Sequence, residues 1–333
     1  MVRYLRPAAL SAATLVLLLA TDGAAVPGGR LRLETTASTS AARDAARDAA
    51  RDAARDAARD ATRPARPDGP AHPGAPAPLP PPTVLPDPGP AKLAGLPRTV
   101  FTGSGFDACS APPLDVMRTW RGASPYGAVG IYSSGRQRAC PQPQLTAAWV
   151  RQVRALGWRL VPIHAGRQAP CRTDLERSRR IDPARAVRQG RDEAAEAVRA
   201  LRALGLGQGS PVYLDLESYP SGDAACGRAV VDFALGWTQA LHAAGYRSGF
   251  YSGLDSGVGD LAACARAGAA PLPDALWYAR WDDRTSTDGR GVLDADQWSR
   301  HQRAHQQVGN ATESHGGAAL RVDRDQLDTL VAR

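Results

Sequence analysis

Short apolar runs alternate with amphipathic stretches from about Arg98 to Arg333, and this alternation is what most restricts the folds open to the chain. Eight strands are expected, at 105–109, 128–132, 159–164, 211–217, 248–252, 276–282, 304–307 and 319–323. Between the first six lie helical segments at 113–121, 145–156, 183–204, 226–244 and 254–267. The third is the clearest, because Ala194, Ala197, Val198, Leu201 and Leu204 share one face and Gly205 ends it. After the sixth strand no long helix fits. About 236 residues patterned in this way predict one α/β domain, a TIM-like (β/α) barrel that is helix-deficient over its last three strands.

The preceding sequence is of a different kind. Residues 1–25 carry Arg3 and Arg6, an apolar run from Ala8 to Ala20, and the small residues Gly23, Ala24 and Ala25. That order is expected of a secretory signal peptide, since about 13 apolar residues fall short of the roughly 20 needed to span a bilayer as a helix. Residues 26–95 are expected to form a disordered, low-complexity linker. Within it Ala-Ala-Arg-Asp repeats five times between Ala41 and Asp60, and 12 prolines fall within residues 64–90. From Gly95 onward 29 basic residues face 24 acidic ones, a mild excess without a basic helix interleaved with aromatics. Nucleic acid is therefore not an expected partner, whereas an anionic wall polymer is compatible with the charge.

Five cysteines in a chain read as exported favour disulfides over zinc, and their spacing matches no CxxC knuckle. Cys140 and Cys171 follow the second and third strands, whose loops emerge at one end of a parallel barrel, so this pair is expected to bond. Cys226 with Cys264 is the second expectation, leaving Cys109 free.

The most informative run is Pro211-Val-Tyr-Leu-Asp-Leu-Glu-Ser218. As a strand it turns Tyr213, Asp215 and Glu217 to one face and Val212, Leu214 and Leu216 to the other. If the aliphatics face helices, the acids face the barrel axis, where burial is costly unless they are paired or used. Asp107 ends the first strand, Asp282 the sixth and Asp323 the eighth, with Asp325 close behind. Closure makes the first and eighth strands neighbours, so Asp107 and Asp323 should flank each other and form, with Asp215 and Glu217, a ring of acids at the end where barrel active sites lie. Like charges at short range keep one carboxyl protonated near neutral pH, which is what glycoside hydrolysis requires. Tyr132, Tyr213, Tyr251 and Trp281 are the expected aromatic contacts to sugar faces, with Asp282 and Gln306 as polar ones; Trp277 is expected in the core, and His164 and His242 as structural residues. Competing readings are a Ca²⁺ or Mg²⁺ site built from the four acids and an inert barrel that binds glycan without cutting it.

Several segments carry a resemblance: Gly105-Phe-Asp-Ala-Cys-Ser-Ala-Pro-Pro, Tyr126-Gly-Ala-Val-Gly-Ile-Tyr, Gly157-Trp158 with Pro162-Ile163, Gly166-Arg-Gln-Ala-Pro-Cys171, and residues 211–217. Over most of residues 102–330 the chain resembles the bacterial secreted "glycoside hydrolase-like" domain of unknown function, itself similar to the family 25 lysozymes. Those N-acetylmuramidases cut peptidoglycan and have five β/α units followed by three strands. The resemblance implies Glu217 as general acid, Asp215 as the group that steadies the substrate's 2-acetamido group or the attacking water, and Asp107 and Asp323 as electrostatic tuners. The sequence departs from the lysozymes after Asp107, where Ala-Cys-Ser-Ala-Pro-Pro replaces their Ser and Gln pattern. The expectation is a secreted or wall-associated monomer acting on peptidoglycan without metal or cofactor, and with no membrane span once the signal is cleaved.

Overall fold

The computed structural model describes residues 82–333, so the expected signal peptide and the Ala-Ala-Arg-Asp repeat lie outside the described residues. Eight strands close into a barrel in chain order: β1 (Val100–Asp107), β2 (Ala128–Ser134), β3 (Arg159–Ala165), β4 (Pro211–Asp215), β5 (Arg247–Gly253), β6 (Ala275–Ala279), β7 (Arg303–His315) and β8 (Ala318–Leu330). Helices α1 (Leu114–Ala123), α2 (Ala147–Ala155), α3 (Ala186–Ala203), α4 (Ala224–Ala243) and α5 (Gly259–Arg266) follow the first five strands. Between β6 and β7 only a 3₁₀ turn at Gly289–Gly291 occurs. The α/β barrel with its helix-poor end is thus the fold that the periodicity indicates.

Helix α3 turns Ala194, Ala197, Val198 and Leu201 inward and stops at Gly205, whose φ of 77° suits a residue without a Cβ. It meets α4 at near-backbone contact. A Cβ on Gly190 would lie 2.1 Å from the Phe233 carbonyl oxygen, and one on Gly236 equally near that of Val187. On β4, Val212 and Leu214 join the core between sheet and helices, while Tyr213 belongs to a second core inside the barrel with Ile163, Trp277, Ala304 and Leu327.

Strand β8 departs from the expected parallel order. It runs antiparallel to both β7 and β1, because β7 returns through a tight turn at Gly316-Gly317, both with positive φ. Asp323 therefore lies in the body of a descending strand, not at the end of a rising one, yet it still stands opposite Asp107. Two other strands are shorter than expected: β4 stops at Asp215, before Glu217, and β6 stops at Ala279, before Trp281 and Asp282.

The linker expectation also overreaches. Residues 82–95 pack on the end of the barrel opposite the strands' C-terminal mouth, where Leu85 donates its N–H to the Ala270 carbonyl at 2.8 Å and Asp87 meets His242 at 2.7 Å. Proline content concealed these few anchoring side chains, which follow no period.

Disulfides join Cys109 to Cys140 and Cys171 to Cys226, with Cα separations of 5.6 and 5.8 Å. The expected Cys140–Cys171 bond is not formed, nor is Cys226–Cys264; Cys264 carries the free thiol and Cys109 is bonded. The loops do emerge at one end, but they lean apart. That after β2 turns back to the end of β1, and that after β3 crosses to the start of α4.

Candidate active site

Four acids line one cavity of about 570 Å³ at the mouth: Asp107, Asp215, Glu217 and Asp323, with Tyr132 on its wall. Asp107 is 3% exposed and Asp215 5%, whereas Glu217, just past the end of β4, is the exposed member. The close seat of Asp107 depends on its register partner Gly130, where a Cβ would come within 2.6 Å of the Asp107 Cβ.

Gln306 on β7 organises two of the acids. Its Nε2 donates to Asp107 Oδ2 at 3.1 Å and Asp323 Oδ2 at 3.3 Å. Its Oε1 accepts from the Tyr251 hydroxyl at 2.9 Å and Trp281 Nε1 at 3.1 Å. Both amide hydrogens turn to carboxylates, so Gln306, expected as a polar contact to substrate, orients two of the acids. A bulge in β7 supplies another donor: Asn310, at φ 61°, directs its N–H to Asp323 Oδ1 at 2.5 Å. Trp281 lies 61% exposed over the same bulge, against Gly309.

Loss of solvent raises every acid of the group, and repulsion from a neighbouring carboxylate adds to it at Asp107, Asp215 and Glu217. Burial first, and then the Asp323 carboxylate, push Asp107 from 3.8 up to about 8, against the hydrogen bonds from Gln306 and Tyr132. Asp215 is held well above the carboxylate range by burial, then by Glu217 and Asp107, and its Oδ1 is buried without a hydrogen-bond partner. Glu217, although open to solvent at the mouth, is raised by the desolvation its place in the cavity imposes; the Arg172 guanidinium opposes that rise and Asp323 adds to it. Burial raises Asp323 as well, opposed by the Asn310 N–H and by Arg321.

A fifth acid sits below the ring. Asp325, two residues along β8 from Asp323 and on the same face, is 2% exposed and accepts from Trp277 Nε1 at 3.1 Å. Burial, and then Asp107 and Asp323, hold its carboxyl well above the usual range. The Asp-x-Asp alternation was the available signal for it. Gln168 was not legible at all. From the loop after β3 its side chain donates to the Asp215 carbonyl at 3.0 Å and accepts from the Glu217 N–H at 2.8 Å, clamping the segment that carries both acids.

Two expected contacts lie elsewhere. Tyr213 is fully buried in the barrel, its hydroxyl 2.8 Å from Thr329 Oγ1 and 2.9 Å from the Leu330 carbonyl, toward the end opposite the mouth. Asp282 turns to Arg290 at 3.7 Å and His305 at 3.6 Å in the loop before β7, because the strand expected to aim it inward ends three residues earlier. Tyr251 and Trp281 remain near the acids through Gln306. Trp277 is core, and His164 is fully buried between Ser134 and Glu193.

No curated protein matches this chain. Among solved structures, a Mycobacterium tuberculosis Tat-secreted protein, Rv2525c, is 15% identical with a TM-score of 0.47, covering 68% of this chain and 96% of that one. An uncharacterized B. stearothermophilus protein is 18% identical with a TM-score of 0.43, covering 68% and 99%. The Clostridium perfringens spore cortex lytic enzyme SleM is 14% identical with a TM-score of 0.42, covering 68% and 67%. A family model described as "Rv2525c-like, glycoside hydrolase-like domain" matches residues 118–327, more than half of the chain and all of the barrel from α1 to Leu327 on β8. The chain therefore belongs to the Rv2525c-like, glycoside hydrolase-like domain family.

Proposed function

We propose that this chain is an exported hydrolase of β-glycosidic bonds in a cell-wall glycan, peptidoglycan, with Glu217 as its general acid. The observation that carries this reading is the convergence of Asp107, Asp215, Glu217 and Asp323 on one open cavity within a glycoside hydrolase-like barrel. Glu217 is the acid exposed at the mouth, so it can give its proton to the leaving glycosidic oxygen as the C1–O bond breaks. Asp215, beside it and more deeply set, steadies the 2-acetamido group or the water that completes hydrolysis. Asp107 and Asp323, linked through Gln306, set the field in which Glu217 keeps its proton. Tyr132, Tyr251 and Trp281 offer ring faces to sugar. Two disulfides support an oxidising, extracellular destination.

A second reading, an inert barrel that binds the same glycan, is favoured by Arg172, whose charge opposes protonation of Glu217. Release of reducing ends from purified peptidoglycan by the full chain separates the two. Glu217→Gln should lower the rate by about 10²–10⁴-fold with glycan binding retained, and Asp215→Asn should lower it too. If the wild type releases no reducing ends but sediments with the glycan, hydrolysis fails as the function for this substrate and the binding role stands.

A further inference from the structure

The loop from β3 to α3 concentrates positive charge. Between Arg167 and Arg185 six arginines accompany three acids, so more than half of the folded part's net positive charge lies in this short segment. Four of them, Arg167, Arg177, Arg180 and Arg185, line a cavity of about 540 Å³ whose only lining acid is Asp182. That acid is already engaged, 2.7 Å from Arg185 Nη2 and 3.1 Å from the Ala184 N–H. Arg167 approaches Glu193 at 3.6 Å and spends Nη1 on the Ser178 and Arg180 carbonyls. Arg177 and Arg180 have no hydrogen-bonded carboxylate among the described residues. Arg180 gives Nη1 to the Pro170 carbonyl at 2.9 Å, while its Nε is buried with no partner at all. A buried, unpaired guanidinium N–H is costly, and the solvent-reachable ends of Arg177 and Arg180, which no carboxylate takes up, are left to meet an anion in the cavity.

The loop is also held in shape. The Gln168 N–H donates to the Arg179 carbonyl at 3.0 Å, and the Ile181 N–H to the Gln168 carbonyl at 2.8 Å, fixing the turn that presents both arginines. Preorganised guanidinium forks bind oxyanions without paying to order the loop first.

We propose that this cavity is a second binding site, for phosphate-type oxyanions repeated along a wall polymer, which docks the barrel beside its glycan. Several guanidiniums around one space offer more donors than the two coplanar oxygens of a carboxylate accept, and they suit a tetrahedral phosphodiester. The site is open and its cations are accessible, so salt weakens any single anion there, while consecutive phosphodiesters on one chain rebind at high effective concentration. The inference holds whether or not the acid mouth hydrolyses anything.

The test is binding of the full chain to poly(glycerol phosphate), inorganic pyrophosphate and polygalacturonate at low and physiological salt, by calorimetry. The wild type should prefer poly(glycerol phosphate), with affinity falling as salt rises. Arg177→Ala with Arg180→Ala should weaken that binding about tenfold or more. Arg199→Ala with Arg202→Ala, which removes the same charge from exposed positions of α3, should leave it unchanged; equal melting temperatures would show both variants folded. Equal losses in the two variants would reduce the effect to net charge and overturn the site. Equal binding of polygalacturonate would overturn the phosphate assignment, and pyrophosphate binding as tightly as the polymer would overturn the wall-docking role.

Discussion

Gln306 Nε2 lies 3.1 Å from Asp107 Oδ2, so a neutral amide on β7 reaches past β8 to hold the least exposed of the four mouth carboxyls. The same nitrogen reaches Asp323 at 3.3 Å, which makes Gln306 the joint between the first and last strands. Gln306→Leu should raise the titration midpoint of Asp107 above about 8, because a donor that favours the ionised form is lost. It should also cost about 1–3 kcal/mol, since the Tyr251 hydroxyl loses its acceptor. Carbon-detected NMR titration of the carboxyls checks this; an unmoved Asp107 midpoint would remove Gln306 from its organising role.

The buried acids tie stability to pH with a definite sign. Asp107 titrates near 3.8 when exposed and near 8 in the fold, so between those values the native state binds more protons than the unfolded chain and stability falls as pH rises. Between pH 5 and 7.5 the loss should be about 2–3 kcal/mol, shared among the interacting acids. Asp107→Asn should flatten that slope in urea melts at the two pH values. A wild type equally stable at both would contradict the burial argument.

Gly130→Ala should expel Asp107 from its seat, because the new methyl occupies the space of the Asp107 Cβ and a strand register leaves no room to shift. A destabilisation of about 1–3 kcal/mol is expected, as for overpacked cores. Hydrolysis should fall with it. Calorimetric melting and the reducing-end assay together decide, and a variant with wild-type values in both would show that the seat adapts.

The Cys171–Cys226 bond sits next to Arg172, which donates to the Ser218 carbonyl at 3.2 Å beside Glu217. Cys171→Ser with Cys226→Ser should therefore cost about 2–4 kcal/mol and also lower activity. Retained activity measured well below the melting temperature would show that the bond steadies the fold and not the acid.

Much of this was legible before any coordinates. Strand and helix periodicity identified the barrel, and the alternation of Tyr213, Asp215 and Glu217 against Val212, Leu214 and Leu216 placed the acids inside it. Asp107 and Asp323 were expected as neighbours on closure alone, and they are. Local patterning fails where direction and side-chain reach decide. The reversal of β8 hangs on the Gly316-Gly317 turn, which leaves the alternation of apolar and polar residues unchanged. The disulfide partners depend on which way two loops lean. Tyr213 shares the inward face with Asp215, but depth along the strand, which alternation does not encode, makes one a core residue and the other a mouth residue. Gln168 and Asn310 work through an amide and a backbone N–H on irregular loops, with no period to reveal them.

The antiparallel return of β8 has a consequence for when the protein can act. Asp107 comes from the first strand to be made and Asp323 and Asp325 from the last, and they meet only along the β1–β8 seam that closes the barrel. Contacts so distant in sequence form late in folding. Until the final hairpin pairs with β1 the set of acids is incomplete, so the mouth and the fold are completed in the same step.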